Sequence, residues 1–466
     1  EAVIGSNPIG LTKRFTCKSE PFVFLYSSGG IYFSNQIFIF EFLKIVLIHP
    51  SMKFRIIILV FIIFQVSYAQ NKKEYLSNNR VNLRSELPNL TEKDFNLIGF
   101  GALHGSAKTY EAEYELVKYL VENKRLDYYI IEANSSQAYY LQKYLESGDE
   151  NLLKELVLVF QTIVSQEGTV ETFNHWRKIR ALALKHSESP FQMIGFDVSW
   201  EYKFPLKQLL ELSNADESWQ NRGILFNEFS NSDNNFTMWN KDLNEKIKIF
   251  IEDYYSNKAK YKEFIADVET FDYIVQNLHR NFKDNQTRDK VIYENYVFMK
   301  TKLNLGSKKQ FVKYGYFHIQ KEKEGSYPSF FTRLIKNKVY DRSQVITVMA
   351  YLTKSKVLWD KIYDKQGEYK KYTTKSGYGI SDYWKEYFEG IKYLKNAQLS
   401  DMTMFKLNAS NSPYGQSIDL VQLNMFLKDH NTTKLKGKNT LQFIDYAILI
   451  SRSKEQIPLE EYKEDK

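Results

Sequence analysis

Short apolar runs, each closed by one polar side chain, recur along the chain. Leu97-Ile98-Gly99-Phe100-Gly101-Ala102-Leu103 ends at His104, and Tyr128-Tyr129-Ile130-Ile131 ends at Glu132. Phe191-Gln192-Met193-Ile194-Gly195-Phe196 ends at Asp197, and Gln310 to Phe317 ends at His318. Runs of this length and composition are those of buried parallel strands. Between the first two, Tyr110, Tyr114, Val117, Leu120 and Val121 fall at helical spacing. The pattern predicts strands over 95–101 and 127–132 around a helix over 108–123, placing His104 and Glu132 at the carboxyl ends of neighbouring strands. Such ends are where open α/β sheets bind ligands. Further strands are expected over 344–351 and 442–450.

From Leu206 to Lys302 the pattern changes. Charged and aromatic residues recur at helical intervals, and Gly223 is the one glycine. This predicts a helical insertion of about four helices over 206–302. Residues 363–440, rich in Lys, Tyr, Asn and Ser, read as long loops with a few short elements. The fold class that follows is α/β, with a central, mainly parallel sheet flanked by helices and carrying that insertion.

The amino-terminal region has a separate logic. From Met52, Lys53 and Arg55 form a cationic start, Ile56 to Phe64 an apolar core, and Ser67 and Ala69 a small-residue cleavage pattern before Gln70. This is the layout of a secretory signal peptide over 52–69, and its apolar part is too short to span a bilayer. On this reading residues 1–51 come from upstream of the true start and 70–93 form a polar arm. A domain over 94–460 is then secreted or periplasmic, with no stable membrane anchor. The single cysteine, Cys17, precedes the cleavage site, so neither a disulfide framework nor thiol chemistry is expected. The net charge of +8 is spread along 466 residues and does not point to nucleic acid; the expected partner is a small-molecule substrate. With 34 Tyr and 33 Phe the chain can build a large core.

His104 after a strand can serve as a general base, because imidazole titrates near working pH. Glu132 emerges from an apolar run, where a carboxylate needs a partner; pairing with His104 would orient the ring. Asp197 and His318 repeat the arrangement on two further strands, and His175-Trp176 offers a binding-wall pair. Arg288 to Asn295 reads on its own as a charged helix face. No phosphate-cradling glycine loop, Gly-x-Ser-x-Gly elbow or His-x-x-x-His pair is present.

These residues resemble the erythromycin esterase family. His104-Gly105 and Glu132-Ala133 match its strand, His-Gly, helix, strand and Glu-Ala pattern, 28 residues apart. Ile194-Gly195-Phe196-Asp197 is similar to its Gly-Phe-Asp strand end, and Arg288-Asp289 with Glu294-Asn295 to its Arg-Asp…Glu-Asn helix. The strand to His318 resembles its Trp-Ala-His-Asn-x-His segment, and Phe443 to Ala447 its Phe-Asp-Ala strand. The resemblance runs over roughly 90–455. It implies an α/β fold and metal-independent hydrolysis of an ester or lactone, with His104, Glu132 and His318 catalytic and Asp197 and Arg288 against the substrate; His175 is expected there from the His175-Trp176 pair alone. Three positions depart from the pattern. Gly101 stands where the family has an acid, Glu113 where it has a base, and Gly315 where it has a histidine. Two alternatives remain open beside hydrolysis: a small-ligand-binding protein of the same fold, and a metal-dependent hydrolase built on His104, Glu132 and His318. No cofactor is called for, although a metal is not excluded.

Overall fold

In the computed structural model, residues 71–85, 90, 94–213, 236–283, 287–363, 369–375, 380–426 and 428–460 are described. The region read as a signal peptide and its upstream extension lie outside them. The chain divides into two units, residues 1–75 and 76–466. Of the first, residues 71–75 are helical; the second carries the fold.

Eight strands form its central sheet in the order β1-β11-β14-β6-β2-β5-β3-β4. They are β1 (Arg80–Asn82), β2 (Leu97–Ala102), β3 (Tyr128–Ile131), β4 (Gln192–Gly195), β5 (Gln310–Gly315), β6 (Val345–Thr353), β11 (Met402–Lys406) and β14 (Tyr446–Ser451). The six from β14 to β4 run parallel. Two antiparallel strands, β11 and then β1, finish one edge. β2, β6 and β14 are buried along their whole length, which explains their unbroken apolar runs. This is the α/β class read from the sequence.

Helices α1 (Ala107–Glu122), α2 (Ser135–Ser147), α3 (Glu150–Phe160) and α4 (Val170–Lys185) connect β2, β3 and β4. One apolar cluster joins them to the sheet through residues such as Phe100, Leu116, Tyr129, Leu141, Leu156 and Phe311. Helices α5 (Lys203–Leu212), α6 (Lys241–Ser256), α7 (Lys258–Lys262) and α8 (Val268–Arg280) bury Leu206, Ile247, Tyr254, Phe271 and Ile274 in a core of their own. α9 (Arg288–Lys302) returns the chain to β5, and α10 (Phe330–Lys336) precedes β6.

Two arrangements differ from the sequence reading. β2 and β3 are not neighbours: β5 lies between them, paired to both. Strand order depends on crossovers of long sequence separation, which local periodicity does not encode. The stretch from 357 to 440 is also more ordered than loops. β7 (Val357–Tyr363) and β8 (Tyr369–Lys375) form a hairpin, while β9 (Asp382–Tyr383), β10 (Glu386–Phe388), β12 (Leu423–Met425) and β13 (Lys428–Asp429) make a small sheet, with α11 (Ile391–Asn396) before β11. Polar residues suit strands exposed on one face, so the composition concealed them.

Candidate active site

The parallel register brings four strand ends level. Ala102 pairs with Gly315, Ile130 with Val312, and Ile131 with Gly195. His104, Glu132, Asp197 and His318, each a few residues beyond its strand, therefore meet at one edge. Arg288, the first residue of α9, joins them. It is set there because Asn295 Nδ2 donates to the Phe196 carbonyl at 2.9 Å and Tyr296 OH donates to Gln310 Oε1 at 2.7 Å.

Arg288 is the electrostatic centre. Its Nε donates to Asp197 Oδ1 at 2.9 Å, and its Nη2 to Asp197 Oδ2 at 2.5 Å and to Glu132 Oε1 at 2.7 Å. Its Nη1 lies 3.3 Å from His318 Nε2. Burial alone would push the Glu132 carboxyl up. Arg288, with His104, His318 and Lys313 behind it, reverses that and holds it below the usual range. Glu132 Oε2 also accepts from the Gly315 backbone N–H at 2.9 Å.

Glu132 is not the residue that orients His104. His104 Nδ1 sits 2.9 Å from Glu167 Oε1, on a short 3-10 turn at Ser165–Glu167. Glu167 is also held by Lys313 Nζ at 2.9 Å and by the Tyr110 hydroxyl. Burial opposes its ionisation, but Lys313, His104 and Tyr110 outweigh burial and keep its pKa well below the usual carboxylate range. Lys313 in turn is disfavoured by burial and held charged by Glu167, Glu113 and Glu132. The expected Glu132–His104 pair fails because β5 separates the two strands, and Glu132 is spent on Arg288.

β5 contributes a gap between them. A Cβ at Gly315 would lie 3.6 Å from His318 Cδ2, 3.7 Å from His104 Nε2 and 3.8 Å from Glu132 Oε1, all ordinary contacts. Glycine there leaves a methyl-sized space bordered by both histidines and the carboxylate. His104 Nε2 is enclosed and has no hydrogen-bond partner among the described residues. Gly105 next to it has φ of +92°, and a Cβ would meet the Leu358 carbonyl at 2.2 Å, so the turn that aims His104 admits only glycine.

His318 has its own acid. Its Nδ1 is 2.9 Å from Asp289 Oδ1, which also accepts from Phe330 N–H at 2.8 Å at the start of α10. Burial lowers the His318 pKa, yet the Asp289 carboxylate prevails over burial and Arg288 and raises it.

His175 lies elsewhere. It is 2% exposed, with Nε2 3.1 Å from Glu113 Oε1, and Tyr129 OH donates to the same carboxylate. Its neighbour Trp176 lines the cleft instead; adjacent helix positions point about 100° apart. Glu113 is thus a sealed partner of His175 rather than a lost base, and the nearby cation comes from Lys313. An acid at Gly101 would have to push aside Met349 and Ile319, because a Cβ would lie 2.7 Å from Met349 Sδ and 2.8 Å from Ile319 Cδ1.

A cleft enclosing about 620 Å³, open solvent included, adjoins this cluster. Glu132, Glu167, Asp197, Arg288 and Lys313 line it, with Glu201, Asn134, Gln137 and the apolar Phe160, Ile163, Val164, Trp176 and Trp200. The residues do not suit a metal held by His104, Glu132 and His318, since a cation there would face the Arg288 guanidinium. Among the described residues no group of three or more metal-ligating side chains could hold one. Glu167 and Lys313 were not singled out from the sequence, although Lys313, a cation within an apolar run, gave a signal; Asp289 entered only inside the Arg288-Asp289 motif, with no role of its own.

No protein-family model and no curated protein matches the chain. Solved structures do. A Bacillus cereus structural-genomics protein aligns at TM-score 0.55 and 16% identity, over 84% of this chain and 99% of its own. A succinoglycan biosynthesis protein aligns at 0.57 and 14%, with the same shares. A histidine-to-asparagine mutant of erythromycin esterase EreC in its open conformation aligns at 0.50 and 14%, over 77% of this chain and 91% of its own. At these identities the likeness is one of fold, and the chain is similar in fold to erythromycin esterase at a distance.

Proposed function

We propose that the cleft hydrolyses an ester or lactone, with His104 as general base acting on water. The observation that carries this is the division of labour on one ring: Nδ1 is anchored on Glu167, and Nε2 is unpartnered beside the Gly315 gap. An ionised Glu167 accepts the Nδ1 proton, which leaves the Nε2 lone pair free and stabilises the imidazolium that forms.

Water in the gap gives its proton to Nε2 while its oxygen attacks the acyl carbon. Arg288 Nη1, the guanidinium nitrogen not spent on a carboxylate, stabilises the oxyanion, with His318 Nε2 beside it at 3.3 Å. Collapse breaks the acyl C–O bond, and the His104 imidazolium returns its proton to the leaving alkoxide. The products are an acid and an alcohol, or one hydroxy acid from a lactone. Glu132 and Asp197 position Arg288.

The test is hydrolysis of a panel of p-nitrophenyl esters and lactones by the full chain and by His104→Ala. A loss of about 10²- to 10⁴-fold at unchanged folding is expected; equal rates in the two proteins contradict the mechanism. One observation favours a non-catalytic small-ligand binder: neither His104 nor His318 is among the residues that line the cleft. Saturable ligand binding with no turnover by either protein is the outcome that supports that second reading.

A further inference from the structure

Six acidic or basic side chains line the cleft, and five of them pair with one another. Arg288 holds Glu132 and Asp197, and Lys313 holds Glu167. Glu201 stands apart. It is 2% exposed; one carboxyl oxygen accepts from the Lys203 backbone N–H at the start of α5, and the other from Gln137 Nε2 at 3.4 Å. The Lys203 ammonium is engaged by Glu155 at 2.7 Å. Among the described residues no cationic side chain forms an ion pair with Glu201. Burial, against the amides of Lys203 and Phe204 and the Lys203 charge, pushes its pKa up to about 8.

Asn134 lies beside it. Its Oδ1 accepts from Gln137 N–H at 2.9 Å, and its own N–H donates to Gln137 Oε1 at 3.0 Å. Its Nδ2 is buried and has no partner among the described residues. Gln137 therefore ties together a carboxyl that lacks a cation and an amide donor that lacks an acceptor, both on the wall of an open cleft.

We infer that Glu201 and Asn134 form a recognition subsite for a ligand bearing a protonated amine, with a neighbouring oxygen that accepts from Asn134 Nδ2. If that ligand is the substrate of the hydrolytic reading above, the amine belongs to the non-reacting part of the ester or lactone; the subsite itself stands without that reading. Four carboxyls against two cations on the cleft wall favour a cation and repel a carboxylate or phosphate. Trp176, Trp200 and Phe160 supply aromatic surface suited to the carbons of an alkylammonium. Pairing with the ammonium requires Glu201 to give up its proton, so binding and deprotonation are coupled. The charged pairs around it, Arg288–Asp197 in the cleft and Lys203–Glu155 at α5, keep their own partners.

Calorimetry with the full chain tests this, using phenethylammonium and its neutral isostere phenethyl alcohol as probes. Expected is a preference for the ammonium of about tenfold or more at pH 8.5, shrinking below pH 7. A binding heat at pH 7 that changes with the buffer's ionisation heat would report proton release. Glu201→Gln keeps an acceptor for the α5 amides and should erase both the preference and the proton release. Equal affinity for the two probes, or a preference retained in Glu201→Gln, overturns the subsite and leaves Glu201 as a helix cap only. Because the probes are not hydrolysed, ammonium binding without ester turnover removes the reaction and keeps the subsite. Turnover without ammonium preference does the reverse.

Discussion

His104 and His175 are each held by a glutamate, yet the two pairs stand in opposite situations. His104 gives Nδ1 to Glu167 and turns Nε2 toward the Gly315 gap. His175 spends Nε2 on Glu113, with Tyr129 donating to the same carboxylate and Tyr110 and Trp176 packed on the ring at 4.9 Å between centroids. The same residue types thus leave one ring nitrogen facing the Gly315 gap in one place and form a closed structural pair in the other. What separates them is which ring nitrogen is tied, what the other one faces, and burial: the His104 and Glu167 side chains are each 15% exposed, those of His175 and Glu113 1% and 0%.

The comparison breaks most visibly at His175. Replacing it with Leu takes the histidine partner from buried Glu113 and leaves it the Tyr129 hydroxyl alone, a loss of about 3 kcal/mol. Urea unfolding should show this loss, while the protein that remains folded keeps its kcat. A fall in kcat of the size expected for His104→Ala would erase the distinction between the pairs.

Two glycines sharpen it at lower cost. Gly101→Ala forces a Cβ against Met349 and Ile319 and should destabilise by about 1–3 kcal/mol, the range for overpacking. Gly315→Ala places its Cβ at ordinary contact distances and should leave the unfolding midpoint nearly unchanged, yet fill the gap and slow hydrolysis. If Gly315→Ala left the rate intact, the gap would not be where water reacts.

The smallest effect belongs to His318. Its pKa is raised by Asp289, so its stabilisation is full below the ordinary histidine value near 6.5 and fades as pH rises through the raised value. Asp289 is shifted down by His318 in spite of burial, so its contribution is present above the ordinary aspartate range and fades as pH falls. The stability gap between wild type and His318→Gln should therefore be widest between about pH 4 and 6.5 and narrow above neutrality. A gap that widens on going alkaline would reverse the assignment.

Much of the site was legible in the sequence because parallel strands are buried on both faces. A single polar residue at the end of such a run is conspicuous, and His104, Glu132, Asp197 and His318 were found that way. Their partners were not. Glu167 comes from an irregular turn and Asp289 from the first turn of a charged helix, where acids are ordinary. The order of strands was hidden as well, and with it the error of pairing Glu132 with His104. His175 was misjudged because a His-Trp dipeptide does not say which of two adjacent helix positions faces the cleft.

Added imidazole offers the most direct measurement of the central claim, that His104 Nε2 is the base. In His104→Ala the ring's own volume is vacated next to Glu167. Ester hydrolysis should fall by about 10²- to 10⁴-fold and recover in part, saturably, as imidazole is titrated in, with the recovered rate following the free-base form of imidazole. Wild-type activity in His104→Ala without any imidazole would contradict the account.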